Sequence, residues 1–263
     1  MKYESFGRSE PEVATVVLSA GLGGMGGFWR PQYDMLAARY RVISYDHRGT
    51  GANKEPLPGN YAIGHMGDDV VSILDQAGVS RCHFMGHALG GLVGLDLALR
   101  YPERLDSLLL INAWPVVDSH TRRCFEARLA LLEHVGPEAY VRAQPIFIYP
   151  SWWLSQHADA IARDDAHGIA HFQGKETLLK RIGALLQFNP SNQLGEIRVP
   201  TLVAAARDDV LVPYTSSEAL ARAIPGSRLS VTPEGGHGYS VTNPAVFNEI
   251  ISRFLVETVH APS

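Results

Sequence analysis

Several features are scarce or missing in this 263-residue sequence, and each scarcity closes a class of function. Cysteine is nearly absent: Cys82 and Cys124 are the whole complement, far too few for a disulfide framework and in keeping with a reducing cytoplasm. No stretch approaches the roughly 18 consecutive apolar residues of a membrane span. The opening MKYESFGRSEPEVATVVLSA carries one early lysine and an interrupted apolar run, so no signal peptide is predicted. Neither sign of charge forms a block. The net charge is −4, from 23 basic and 27 acidic residues, and its scatter predicts no nucleic-acid surface. Internal repeats and low-complexity tracts are also lacking. These absences predict a cytoplasmic chain without membrane or nucleic-acid partners, a monomer or homodimer, acting on something small.

What remains is an ordinary apolar fraction, 46%, arranged in a telling order. Short apolar runs at 13–19, 42–45, 83–85, 108–111, 202–206 and 229–231 read as buried strands. Amphipathic segments at 33–39, 66–77, 89–100, 216–223 and 245–256 lie between or after them. Continuous apolar strands alternating with helices predict an α/β fold, a mostly parallel sheet covered on both faces. In such sheets ligands bind beyond the carboxyl ends of the strands. The alternation stops over 114–190, which reads as helices at 121–132, 137–143, 154–165 and 175–186. A loop that long is improbable. The expected organisation is therefore a core of 1–113 and 191–263 interrupted by an all-helical lid, 114–190, with Trp152 and Trp153 walling the pocket or packing the lid.

The run GLGGMG, from Gly21 to Gly26, matches a dinucleotide-binding fingerprint, and Asp46 follows about 20 residues later. The fingerprint's glycines must open a helix whose N-terminus holds the pyrophosphate. Here Pro31 marks a helix start several residues too late. No nucleotide cofactor is expected. His167 and His171 stand four residues apart, as metal ligands on a helix do, but no third ligand accompanies them and no metal is expected.

Four strand-end loops carry the chemistry. SAGLGG after the first run is a glycine-rich turn able to point backbone N–H groups into a site. YDHRGTGAN spans Tyr45 to Asn53. FMGHALGG has the form of a nucleophile elbow, G-x-S-x-G, with glycines at 86 and 90 but Ala88 at the tip. Last comes an acid–histidine pair: Asp208 and Asp209 after the 202–206 run, then His237 in GGHGYS. A methyl group cannot attack a carbonyl, so any reaction here proceeds without a side-chain nucleophile at the tip. Cys82, some 20 Å down the elbow strand at ~3.3 Å per residue, is no substitute, and nothing in the sequence places Ser19 beside His237.

The order elbow, acid, histidine resembles the α/β-hydrolase superfamily over nearly the whole chain. YDHRGTG is similar to its D-x-R-G-x-G loop, RDDVLVP to its acid motif D-x-x-x-P, and GGHG to its histidine loop. The second of these selects Asp209 over Asp208. GHALGGLVG, HTRRCF, AQPIFIYP and AHFQGK further resemble a group of hydrolases of pyrimidine utilisation that act on carbamate or aminoacrylate. In that group alanine is the normal elbow residue. The chain departs from wider hydrolase patterns at Ala20, where many have His, and at Asn53, where many have Ser.

The resemblance implies a fold, a reaction and a site. The reaction is hydrolysis of a carbon–nitrogen bond in a small anionic product of pyrimidine breakdown, with no cofactor. His237, oriented by Asp209, supplies acid–base chemistry beside Ala88, and the N–H groups of Leu22 and Leu89 form the oxyanion hole. An anionic substrate needs positive charge, which the lid offers at Arg122, Arg123, Lys175, Lys180 and Arg181. Arg122 or Arg123 is the first choice, because a guanidinium fork matches a carboxylate, with Lys175 next. Asp46 and Arg48 are expected to form a buried structural pair, Asp208 to be solvated, and His87 to point away from Ala88 by strand alternation. Two other readings stay open: a non-catalytic ligand-binding homologue, and a serine esterase inactivated by Ser→Ala at position 88. A cofactor-free lyase or oxygenase would also work with His and Asp alone.

Overall fold

The computed structural model describes residues 1–259. The chain runs β1 (Glu4–Gly7), β2 (Thr15–Ser19), α1 (Arg30–Ala37), β3 (Arg41–Ser44), α2 (Ile63–Gln76), β4 (Cys82–His87), α3 (Leu89–Arg100) and β5 (Leu105–Ile111). Five helices follow with no strand among them: α4 (Ser119–His134), α5 (Pro137–Ile148), α6 (Ser151–Gln156), α7 (Ala158–Ala170) and α8 (Lys175–Gln187). The chain then returns through β6 (Thr201–Ala206), α9 (Tyr214–Ala223), β7 (Arg228–Thr232), α10 (Tyr239–Thr242) and α11 (Pro244–Val259).

The strands form one seven-stranded sheet in the order β1-β3-β2-β4-β5-β6-β7. Every pairing is parallel except β1 with β3. Alternate residues of each central strand enter opposite cores. Val17, Phe84, Leu108 and Val203 pack with α2 and α3, whereas Val16, Leu18, Met85 and Leu109 pack with Trp29, Leu36 and Phe247. Each such side chain, fully buried, contributes roughly 1.5–3 kcal/mol. Burial on both faces is why these strands read as unbroken apolar runs.

Two elements differ from expectation. β1, with the sequence ESFG, is an exposed antiparallel edge strand and carries no apolar run to mark it. The helix expected at 154–165 is instead two: α6 starts earlier, after Pro150, and a break at His157 separates it from α7. The helix after the glycine-rich turn does begin late: a 3-10 turn at Gly26–Trp29 precedes α1, with Pro31 in its first turn.

The insert is tied down by local chemistry. Asp118 caps α4 by accepting the Thr121 N–H at 2.7 Å. Gly136, at φ 122°, makes the turn into α5, which Pro137 opens. Trp152 is exposed at 41% and Trp153 stacks on His157 at 4.0 Å, so neither lines the main cavity. No helix among the described residues is long and apolar enough to cross a membrane.

Candidate active site

The elbow sits between β4 and α3, and its glycines are steric requirements. A Cβ on Gly86 would lie 2.1 Å from the Gly90 carbonyl oxygen, and one on Gly90 would lie 2.3 Å from that of Ser19. Strand and helix can approach this closely only without side chains there. Ala88, between them, is held at φ 49°, ψ −110°, a conformation that costs an L-residue of order 1–3 kcal/mol. The tip therefore retains the strained geometry that presents a nucleophile, although it presents a methyl.

Asp209 and His237 meet beside it. Asp209 Oδ1 accepts the N–H groups of Leu211 at 2.8 Å and Val212 at 2.9 Å, and Oδ2 accepts Asn112 Nδ2 and His237 Nδ1, both at 2.7 Å. With all these contacts supplied by donors, the carboxylate holds the proton of His237 on Nδ1 and leaves Nε2 as the free nitrogen. The histidine loop is fixed in turn by Asp208, whose carboxylate accepts the N–H groups of Gly235 and Gly236 at 3.2 and 2.8 Å. Asp208 was expected to be solvated; it is instead the tether of the loop.

His87 also departs from expectation. Strand alternation predicts that it points away from the tip, yet it lines the cavity, its ring 4.6 Å from that of His237 and stacked on Phe28 at 4.5 Å. Alternation holds through His87, which keeps the Met85 face of β4 against Phe28 and Trp29; Ala88, leaving the extended conformation, brings the tip to the same cavity. His87 Nε2 donates to the His237 carbonyl at 2.8 Å. Burial, and then the neighbouring His237, push the His87 pKa well below the usual histidine value, so its ring is neutral.

Leu22 and Leu89 border the same cavity. Among the described residues neither backbone N–H has an acceptor. The Leu22 peptide is held from behind, its carbonyl accepting Arg181 Nη1 at 3.1 Å and Gln173 Nε2 at 3.3 Å. The cavity encloses about 310 Å³ between the strand ends and α4, α5, α7 and α8. Its walls are largely apolar, with Phe28, Trp114, Phe125, Ile148 and Leu211 among them.

The predicted cations are placed elsewhere. Arg122 and Arg123 are exposed on α4, and Lys175 lies 4.0 Å from Glu133 at the surface. Lys180 pairs with Glu176 at 2.8 Å, and Arg181 is buried behind the Leu22 loop. The guanidinium that does reach the cavity is Arg128. It was overlooked, but it carried a signal: it falls in phase with Thr121, Cys124, Phe125 and Leu132, the buried stripe of α4.

Other residues resolve as structural. Asp46 and Arg48 do not pair with each other. Asp46 accepts the N–H groups of Gly26 and Ala52 at 2.8 and 2.9 Å, while Arg48 pairs with Asp69 on α2. Ser19 is engaged with Tyr45 Oη at 2.8 Å in a buried cluster that includes His47. Burial raises the Cys82 thiol pKa, removing any nucleophilic thiolate. His167 and His171 stack at 4.1 Å by the cavity, and among the described residues no group of three ligating side chains gathers around a metal position.

Comparison with known proteins agrees with this architecture. A family profile described as alpha/beta hydrolase fold matches residues 14–145, and one described as TAP-like protein matches 185–261. A Variovorax paradoxus protein named "Putative carbamate hydrolase RutD" is 51% identical over 100% of this chain and 98% of its own. An Agrobacterium fabrum protein of the same name is 48% identical over 97% and 98%. Among solved structures, the enol-lactonase from Burkholderia xenovorans LB400 superposes with a TM-score of 0.88 at 25% identity, covering 97% of this chain and 96% of that one. With the sheet, the elbow and the Asp209–His237 pair in family order, and full-length relatives at these identities, the chain belongs to the α/β-hydrolase family, close to the proteins named "Putative carbamate hydrolase RutD".

Proposed function

We propose that this protein hydrolyses a carbon–nitrogen bond in a small anionic product of pyrimidine breakdown, either carbamate or aminoacrylate, without a serine nucleophile. The observation that carries the reading is the Asp209–His237 hydrogen bond retained beside a strained elbow that bears only a methyl. His237, with Nδ1 on Asp209, has Nε2 available to give or take a proton, a role worth about 10²–10⁴-fold.

For carbamate, a proton delivered to nitrogen makes ammonia the leaving group, and the C–N bond breaks to release carbon dioxide. For aminoacrylate, a proton delivered to the carbon next to the carboxylate converts the enamine to an iminium. Water then adds to the iminium carbon, His237 accepts a proton from it, and the resulting carbinolamine expels ammonia to leave malonic semialdehyde. The N–H groups of Leu22 and Leu89 hold the carbinolamine oxygen, which becomes electron-rich as its proton leaves and ammonia is expelled. Ala88 leaves space for water where a serine hydroxyl would stand.

Both substrates decompose unaided, so modest catalysis is useful; binding and an oxyanion hole alone sustain ~10³–10⁴-fold in serine hydrolases stripped of a triad member. The test is time-resolved ammonia release from freshly generated carbamate and aminoacrylate, with and without protein. The reading expects a protein-dependent rate on at least one of them. A rate identical to the spontaneous one on both would favour a ligand-binding homologue instead.

A further inference from the structure

Arg128 is 97% hidden, and nothing acidic accompanies it. Its relative exposure is 3%, and Nη2 donates to two neutral acceptors, Tyr140 Oη at 3.2 Å and Gln144 Oε1. Nε is fully buried without a partner, and among the described residues Nη1 has none either. The rings of Phe125, Tyr140 and Phe147 surround the guanidinium with centroids 5.0, 5.6 and 5.7 Å away. By contrast, Arg48, Arg100 and Arg104 each pair with an aspartate. The other deeply buried one, Arg181, holds the Leu22 carbonyl and Gln173 and does not line the cavity.

A guanidinium stays charged in a protein, and burying a charge without a counter-ion is costly. Aromatic faces offset part of that cost. The lining of the cavity contains no Asp, Glu or Lys, so its permanent charge is a single positive one. The complement is a ligand with one negative charge, planar enough to meet a guanidinium edge, and with a short hydrocarbon portion suited to the apolar walls.

We infer that Arg128 is the specificity-determining residue of this site, binding the carboxylate of a small organic monoanion from the lid while the rest of the ligand extends toward Ala88 and His237. The anchor rests on the hydrolase reading for what happens at the far end of the ligand, but binding can be measured without turnover. Gln144 and Tyr140 position the guanidinium, and the aromatic rings exclude the water that would otherwise solvate it.

The test uses acrylate, a carboxylate that carries no amine, and acrylamide, its neutral analogue of nearly the same shape. Calorimetric titration of the full chain should show acrylate binding at least about tenfold more tightly than acrylamide, the scale of charge-assisted hydrogen bonds. Arg128→Met, which keeps the length and apolar stem, should abolish the preference; Arg128→Lys should retain part of it. Equal binding of the two probes overturns the inference. So does the absence of acrylate binding at tens of millimolar, or unchanged acrylate binding by a natively folded Arg128→Met. If Arg128→Met does not fold, the acrylate preference of the unaltered chain and its reduction in Arg128→Lys decide. A chain that binds acrylate through Arg128 but releases no ammonia would refute the proposed reaction and leave the anchor standing. Ammonia release by Arg128→Met with an unchanged KM would do the reverse.

Discussion

Asp209→Asn separates the chemistry of the acid from its shape. The carboxylate receives two backbone N–H groups on Oδ1, and the Asn112 amide and His237 Nδ1 on Oδ2. An asparagine placed with its oxygen toward Leu211 and Val212 puts an NH2 group where Oδ2 stood. That NH2 faces the Asn112 NH2, leaving a buried donor unpaired at about 1–3 kcal/mol. It also forces His237 to accept on Nδ1, which moves the imidazole proton to Nε2. The free nitrogen then becomes a donor and cannot take a proton from water. Ammonia release above background should fall by about 10²–10⁴-fold, and the melting temperature should drop by several degrees, at roughly 2–4 °C per kcal/mol for a chain somewhat shorter than this one. Adding Asn112→Ala to Asp209→Asn removes the opposed amide, so stability should partly recover while the rate does not. Calorimetry and coupled ammonia detection on the three variants test both parts. Unaltered ammonia release by Asp209→Asn would refute the tautomer argument, and recovery of the rate in the double variant would refute the separation of stability from chemistry.

The elbow and the buried histidines give two further expectations. Ala88→Gly should change ammonia release little, since the methyl supplies no chemistry and glycine tolerates a positive φ; Ala88→Ser should not accelerate it, and a strong new ester hydrolysis by that variant would support an inactivated esterase instead. Burial, aided by the Arg181 charge, pushes the His47 pKa down to about 3, and burial likewise lowers those of His83 and His87. The unfolded chain therefore binds protons first, so stability is full above the unfolded value near 6.5 and is lost as pH falls from there toward 3. For His47 alone the loss is of order 2–3 kcal/mol by pH 4.5. Urea midpoints between pH 7 and 4.5 should fall accordingly, and fall less in His47→Gln; an equal slope in that variant would remove His47 from the account.

Much of this architecture is legible in the residues because burial leaves a signature. Doubly covered strands such as β2 and β4 are continuous apolar runs, and the close approach at the elbow demands Gly86 and Gly90. The acid and histidine are legible through their fixed offsets from strand ends. β1 is not, because a short exposed edge strand buries too little to leave a pattern. The cation was misplaced for a different reason. Arg122 and Arg123 stand out as a charged pair, but the phase of α4 turns them to solvent and turns Arg128 inward. His87 was set apart from the tip because the alternation rule was carried one residue past the strand, to Ala88, which is not extended. Asp208 could not be placed without knowing that the Gly235–Gly236 backbone folds back upon it.

The most direct test of serine-free acid–base catalysis is ammonia release by the unaltered chain and by His237→Ala, side by side on freshly generated carbamate and aminoacrylate, with the spontaneous rate subtracted. The account predicts that His237→Ala lowers the protein-dependent rate by about 10²-fold or more while acrylate still binds. Full activity in His237→Ala would contradict it.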